Sequence, residues 1–157
     1  MKQKNYTIRV KCNDGVTIDA CIVFADSGEN GYKLELEFDG KKFASDIRLK
    51  SDENFEYALI NLQNKLPADI KLQCCLSCKY GNFNPYGGHK IYCFLAYDVS
   101  KFVEKMDVID CFDKVNKLSD DEFKKITHEV IDLCDAYEEI GGTFSYNSWT
   151  CETVNKK

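Results

Sequence analysis

The sequence contains no apolar run that approaches the roughly 20 residues needed for a membrane helix. Residues 1–6 include basic side chains but no apolar stretch follows them, so a signal peptide is not expected. Arginine is scarce as well, since Arg9 and Arg48 are the only two in the chain. Recognition of phosphates and bases depends on arginine and on basic clusters, so we do not expect nucleic-acid binding. Because the long apolar run is missing, we do not expect the chain to associate with a membrane. Together these absences predict a cytoplasmic protein.

The short motifs that identify many enzymes are also missing. The chain has no phosphate-binding glycine loop, no G-x-S-x-G, no H-E-x-x-H and no dinucleotide-binding fingerprint. Histidine, the commonest general base, occurs only at His89 and His128. No internal repeat, low-complexity stretch or linker divides the chain, so one domain is predicted over residues 1–157.

The composition is that of a protein with a packed core and many thiols. Of the 157 residues, 44% are hydrophobic and 13% aromatic, which is ample for a core. The nine cysteines are an odd number, and a reducing compartment disfavours a framework of disulfides. Most of them are therefore expected to act as small buried hydrophobic side chains.

Alternating apolar and polar residues in the first 50 positions predict an antiparallel β-meander. Asn-Asp-Gly at 13–15 and Asp-Gly at 39–40 supply hairpin turns between the alternating stretches. Alternation returns at 70–76 and 91–97, which brings the predicted sheet to about six strands. One apolar face of such a sheet must be covered, so the prediction is an α+β fold with two or three helices on the sheet.

Two helices are predicted from their start signals and apolar stripes. Ser51 is a plausible N-cap for a helix that closes near Leu66. Ser119 and Glu122 form a capping box, S-x-x-E, ahead of an apolar stripe that continues to Tyr137. A Gly-Gly pair at 141–142 is expected to end this second helix.

The strongest candidate site is a cysteine cluster. Cys75 and Cys78 have C-x2-C spacing on a Gly- and Pro-rich turn, with Cys74 assigned to the core by the strand alternation. With Cys93 and Cys151 they make a set of four thiolates that suits a closed, structural Zn²⁺ site, and His89 is a substitute fourth ligand. Such an ion would contribute directly to folding. The alternative is a group of unliganded cysteines in a mixed core.

Charge is distributed unevenly along the chain. Residues 98–139 hold 13 acids and 6 bases, a net charge of −7, whereas the remainder has 13 acids and 15 bases, a net charge of +2. An acidic helix face steers a basic protein partner electrostatically, although it also serves simply as a solvated surface. The acids assigned to this face are Glu129, Asp132, Asp135 and Glu139.

Aromatic residues next to the cysteine turn are the other candidate contacts. Tyr80, Phe83 and Tyr86 lie in the 79–89 loop, and tyrosine-rich loops often provide anchors in interfaces. Local packing of the loop is the alternative use of these three side chains.

The cysteine pattern resembles that of a family of uncharacterised small bacterial proteins. The shared elements are C-x2-C at Cys75 and Cys78, P-Y-G at 85–87, C-F at 93–94 and a late cysteine, for which Cys151 is the counterpart. In that family an arginine often follows the C-F pair, whereas this chain has Leu95. The resemblance implies no established activity. Some small acidic α+β proteins of this kind are similar to immunity proteins encoded beside secreted bacterial toxins.

Three hypotheses about function follow. The first is a non-enzymatic protein-binding module, most concretely an immunity protein that neutralises a basic toxin domain. The second is a thiol- or metal-dependent enzyme centred on Cys78, Cys93 and His89. The third is a structural protein without separable activity. The sequence favours the first.

Overall fold

The structure, a computed structural model, describes residues 4–26, 31–46, 55–88, 90–141, 144–147 and 149. Its strands pair antiparallel in each sheet and α-helices accompany them, which confirms the predicted α+β class. The chain falls into two compact units, here called the N-terminal unit (described residues up to Gln73) and the C-terminal unit (from Cys74 onward). The single folding domain stays a prediction.

In the described part of the N-terminal unit, five strands form one antiparallel sheet in the order β4-β3-β2-β1-β5. The first four strands make the expected meander, and both predicted turns are present. At the second turn Asp39 and Gly40 have φ of 51° and 70°, the backbone that a tight two-residue hairpin requires. The strands are β1 (Lys4–Lys11), β2 (Thr17–Asp26), β3 (Tyr32–Phe38), β4 (Lys41–Ala44) and β5 (Lys71–Gln73).

One face of this sheet is apolar, and helix α1 (Phe55–Lys65) packs against β3 and β4. Alternate residues of the strands are fully buried, as are Ala58, Leu59 and Leu62 on the helix. Each such leucine contributes roughly 1.5–3 kcal/mol through removal from water. The helix therefore forms where the apolar stripe predicts it. The proposed Ser51 cap lies outside the described residues.

A buried amide ties the end of α1 to the last strand of the sheet. The Gln63 side chain has no exposed surface; its Nε2 donates to the Ile70 carbonyl at 2.7 Å and its Oε1 accepts from the Leu72 amide at 2.7 Å. A buried polar side chain is tolerated when its hydrogen bonds are made, and here they fix the path of residues 70–72. The alternation at 70–76 predicted a longer strand, but β5 ends at Gln73.

The C-terminal unit has shorter elements around an aromatic core. Among its described residues, three strands pair in the order β6-β7-β8: β6 (Gly81–Phe83), β7 (Ile91–Cys93) and β8 (Thr127–His128). Helices α2 (Lys105–Val115) and α3 (Asp120–Ile126) lie between β7 and β8 in the chain. Phe94 and Phe112 are fully buried, with ring centroids 5.0 Å apart. The predicted sheet of about six strands is therefore two sheets, one in each unit.

The second predicted helix begins where the sequence predicts it but is shorter than predicted. The Ser119–Glu122 capping box forms, with the Glu122 amide 3.3 Å from Ser119 Oγ, yet α3 ends at Ile126 rather than near Tyr137. Thr127 is extended at φ −88° and ψ 121°, its hydroxyl donates to the Phe123 carbonyl at 2.7 Å, and it pairs with Tyr92 of β7. β-Branched Thr127 gains more from this pairing than from another turn of helix. The helical prediction for residues 127–140 is wrong.

Candidate functional site: a cysteine-lined cavity

The C-x2-C sequence forms a tight turn. A 3-10 helix, Cys75–Ser77, is followed by a hydrogen bond from the Gly81 amide to the Cys78 carbonyl at 3.0 Å. A side chain at position 81 would collide with the Cys75 carbonyl oxygen and would lie 2.8 Å from Ile91 Cδ1. Glycine is therefore required at this position by the close approach of the backbone, not by its own φ.

The segment 129–139, predicted to be helical, instead runs along the cysteine turn and satisfies its backbone. The Cys75 amide donates to the Asp132 carbonyl at 2.9 Å, and the Lys79 amide donates to the Glu138 carbonyl at 2.9 Å. The Tyr137 hydroxyl lies 3.1 Å from Ser77 Oγ, where either oxygen can donate. These hydrogen bonds place Cys134 close to Cys75 and Cys78.

One small cavity results, with a volume of about 20 Å³, room for one water molecule or one ion. Its walls are apolar apart from sulfur atoms and one imidazole. The cysteine and histidine residues in its lining are Cys75, Cys78, Cys93, Cys134 and His128. Three of the four predicted ligands are thus brought together. Cys151 and its substitute His89 lie outside the described residues.

Cys134 and His128 are the cysteine and histidine of the cavity lining that sequence reasoning missed as site residues. The spacing of Cys134 from Phe123, Ile126 and Val130 fits a helical stripe, which predicts that Cys134 lies on the core face of a helix. The sequence held one contrary signal, the β-branched run at 126–127 and 130–131, which weakens a helix at that point. The strand alternation that placed Cys75 opposite the core also failed, because β5 ends before it and Cys75 is buried in the turn.

Burial controls the acidity of these thiols. Desolvation raises the pKa of Cys75, of Cys78 and of Cys93, because an apolar cavity disfavours the thiolate. Backbone amides oppose this rise in the pKa at Cys78, through Glu138 and Tyr80, and at Cys93, through Leu95. Burial also raises the pKa of neighbouring Cys74 to about 11. The thiols are therefore protonated at neutral pH unless a cation displaces the proton.

All cysteines in the described ranges are free thiols. As placed, no three histidine, cysteine or acidic side chains among those residues stand close enough to share a metal ion. The Zn²⁺ assignment stays a prediction.

The three candidate aromatic anchors differ in exposure. Tyr86 is 71% exposed, whereas Tyr80 and Phe83 are half-buried. The Tyr80 hydroxyl donates to Glu138 Oε1 at 2.9 Å, and its ring packs against the aromatic core. Of these three rings only Tyr86 presents most of its surface, and the role of Tyr80 and Phe83 as anchors stays a prediction.

The four candidate acids do not share a helix face. Glu129 is exposed and pairs with Lys90, while Asp132 Oδ2 accepts from the Glu129 amide at 2.9 Å and lies 3.6 Å from His128 Nδ1. Asp135 and Glu139 are exposed. Acidic side chains of 98–139 other than Asp107 and Asp132 are likewise exposed, so the acidic surface remains although its predicted scaffold does not.

Known proteins offer no guide to this site. No family model, curated protein or solved structure matches the chain. The resemblance to small bacterial proteins therefore stays a prediction. Within the described residues, no helix combines the length and apolar character needed to cross a membrane.

Proposed function

We propose that the chain is a non-enzymatic, cytoplasmic protein-binding module that binds a basic protein through the acidic surface of its C-terminal unit. The observation that supports this is the exposure of nearly all the acidic side chains of 98–139. Residues 74–151 hold 13 acids and 8 bases, a net charge of −5, whereas the other residues hold 13 of each. A field of one sign on one unit accelerates encounter with a partner of opposite sign.

The partner that fits this surface best is a basic toxin domain, which the chain would neutralise as an immunity protein does. Exposed Tyr86 is the candidate anchor, because a large ring with a hydroxyl buries area and still makes a hydrogen bond. Asp135 and Glu139 are the acids assigned to steering, because both side chains are exposed.

The experiment compares variants that carry the same change of charge at exposed positions of the two units. Three proteins are used to capture binding partners from the native cell extract at low salt. They are wild type, the double variant Asp135→Lys/Glu139→Lys, and a control double variant, Asp19→Lys/Glu37→Lys, at exposed positions of the N-terminal sheet. We expect a basic protein that binds wild type and the control at one to one. With that protein purified, the double variant should lower the association rate by about tenfold and flatten its dependence on salt. An equal fall in the association rate in the double variant and in the control, or an unchanged association rate in the double variant, would contradict the proposal.

The thiol-dependent enzyme is the alternative, and the surroundings of the cysteines do not favour it. A nucleophilic cysteine is activated by a lowered pKa, whereas burial raises the pKa of Cys78 and of Cys93. We therefore expect an alkylating reagent to label exposed Cys21 faster than either of them in the native protein. Faster labelling of Cys78 or Cys93 would favour the enzyme instead.

A further inference from the structure

Four cysteines from three separate segments line the same cavity of the C-terminal unit. Cys75 and Cys78 come from the tight turn, Cys93 from the end of β7, and Cys134 from the irregular segment that runs along that turn. As thiolates, these side chains are close enough to interact electrostatically. Cys78 would interact with Cys75, Cys93 and Cys134, and Cys93 would interact with Cys134. Four cysteines from separate segments in the lining of one small cavity is an arrangement that ordinary core packing does not require.

Three of the sulfur atoms also share one hydrogen-bonding pattern. In each case the amide two positions further along the chain faces the sulfur: Tyr80 for Cys78, Leu95 for Cys93, and Ala136 for Cys134, the last at 3.3 Å. An amide donor stabilises the thiolate, the form that binds metals. Donors placed around ligand atoms in this way orient and tune a metal site.

We propose that Cys75, Cys78, Cys93 and Cys134 together bind one thiophilic divalent cation of the zinc class in a closed tetrahedral site. The ion has four sulfur ligands and no open position, so its role is structural. Each thiol releases its proton to solvent as its sulfur binds, and no electron is transferred. This inference replaces Cys151 by Cys134 in the predicted ligand set, and it holds whether or not the acidic surface binds a partner.

Binding requires the sulfur atoms to converge, because as placed they do not yet share one point. Two features make this feasible. Cys134 lies in a segment with neither helix nor strand, so its backbone is not fixed by a ladder. The free energy of structural zinc binding also greatly exceeds the cost of turning a few side chains between rotamers.

His128 is the rival fourth ligand. It lines the cavity, and its Nδ1 faces Asp132 Oδ2 at 3.6 Å, an orientation that many metal-binding histidines share. We assign Cys134 instead because its sulfur already accepts an amide hydrogen bond, as those of Cys78 and Cys93 do. The two assignments give different results in a single series of variants.

The test begins with the metal content of the full chain, purified without chelator, and with Co²⁺ titration of the metal-free protein. We expect about one zinc per chain. Bound Co²⁺ should show thiolate-to-metal charge-transfer bands and the strong visible bands of tetrahedral coordination. Cys134→Ser should weaken Co²⁺ binding by at least tenfold. Cys21→Ser, at an exposed thiol of β2, and Cys151→Ser and His128→Asn should leave binding unchanged.

A second measurement on wild type guards against variants that fail to fold. Alkylation mapped by mass spectrometry should find Cys75, Cys78, Cys93 and Cys134 protected together, and labelled together after a chelator removes the ion. Absence of zinc together with absence of Co²⁺ binding overturns the proposal. Protection of Cys151 or loss of binding in His128→Asn, with Cys134 labelled freely, overturns it equally.

Discussion

The two units of the chain organise their secondary structure and their hydrogen bonds differently. In the N-terminal unit, regular strands and one helix bury an apolar face, and hydrogen bonds run mostly between neighbouring strands. In the C-terminal unit, short elements are connected by backbone and side-chain bonds between distant segments, such as Cys75 to Asp132 and Phe83 to Tyr146. Local pattern determines the first kind of structure, whereas only tertiary contacts determine the second.

The largest expected effect comes from truncating one core side chain in each unit. Phe112→Ala should lower the free energy of unfolding by about 3–5 kcal/mol and Leu36→Ala by about 2–5 kcal/mol, since both side chains are fully buried. Urea unfolding followed by fluorescence and circular dichroism measures both. The single-domain prediction requires one transition that both variants shift; two transitions, each shifted by one variant, would contradict it.

A buried amide in each unit provides the next test. Gln63→Met removes two hydrogen bonds of 2.7 Å to backbone groups. Asn82→Leu removes the acceptor 2.6 Å from the Tyr146 amide and a longer hydrogen bond of 3.4 Å to the Tyr80 carbonyl. Each buried group left without its partner costs roughly 1–3 kcal/mol, and both bonds of Gln63 are short, so Gln63→Met should be the more destabilising. Exposed Asn64→Ala is the matched control, expected to change the unfolding free energy by less than about 0.5 kcal/mol. A control as damaging as Gln63→Met would refute the argument.

Gly81→Ala examines the cysteine turn alone. The added methyl group meets the Cys75 carbonyl and Ile91, and overpacking of this kind costs roughly 1–3 kcal/mol. Gly141→Ala, where a methyl group meets nothing within 4 Å, should leave the melting temperature nearly unchanged. Thermal unfolding of the two variants compares them directly, and equal melting temperatures would show that the turn tolerates a side chain at position 81.

The smallest effect is a pH dependence at the surface of the C-terminal unit. Hydrogen bonds from Lys79 and Tyr80 lower the pKa of Glu138. A carboxyl whose pKa is lower in the folded protein stabilises it above its ordinary pKa, and this stabilisation is lost as the pH falls through the lowered value. Glu138→Gln should therefore be slightly less stable than wild type at pH 7 and equal to it in acid. A difference that persists in acid would point to lost packing instead.

The sequence predicted the N-terminal unit well for a physical reason. Strand alternation, the Asp-Gly turn at 39–40 and the stripe of α1 all agree about which face is buried. In the C-terminal unit the signals conflict. The capping box at Ser119 and the stripe to Tyr137 favour a long helix, but pairing of Thr127 with Tyr92 outweighs them, and such pairing is invisible to local periodicity.

The candidate site could be predicted only in part from the sequence. Spacing identified Cys75 and Cys78, and their nearness to Cys93 followed from a turn between strands. Cys134 could not be found, because its position depends on the bonds that residues 129–139 make with the cysteine turn. Lys90 likewise pairs with Glu129, an acid that the sequence assigned to a helix face.

The hydrogen bonds around β6 have a consequence for the order in which the chain folds. The Lys79 carbonyl accepts from Ser145 Oγ, the Gly81 carbonyl accepts from Asn147 Nδ2, and the Asn82 side chain accepts from the Tyr146 amide. Each partner is synthesised more than sixty residues later. The meander pairs neighbouring strands and can form while the ribosome is still at work, whereas the cysteine turn must wait for residues 145–147. Until then its thiols face solvent rather than the rest of their own chain.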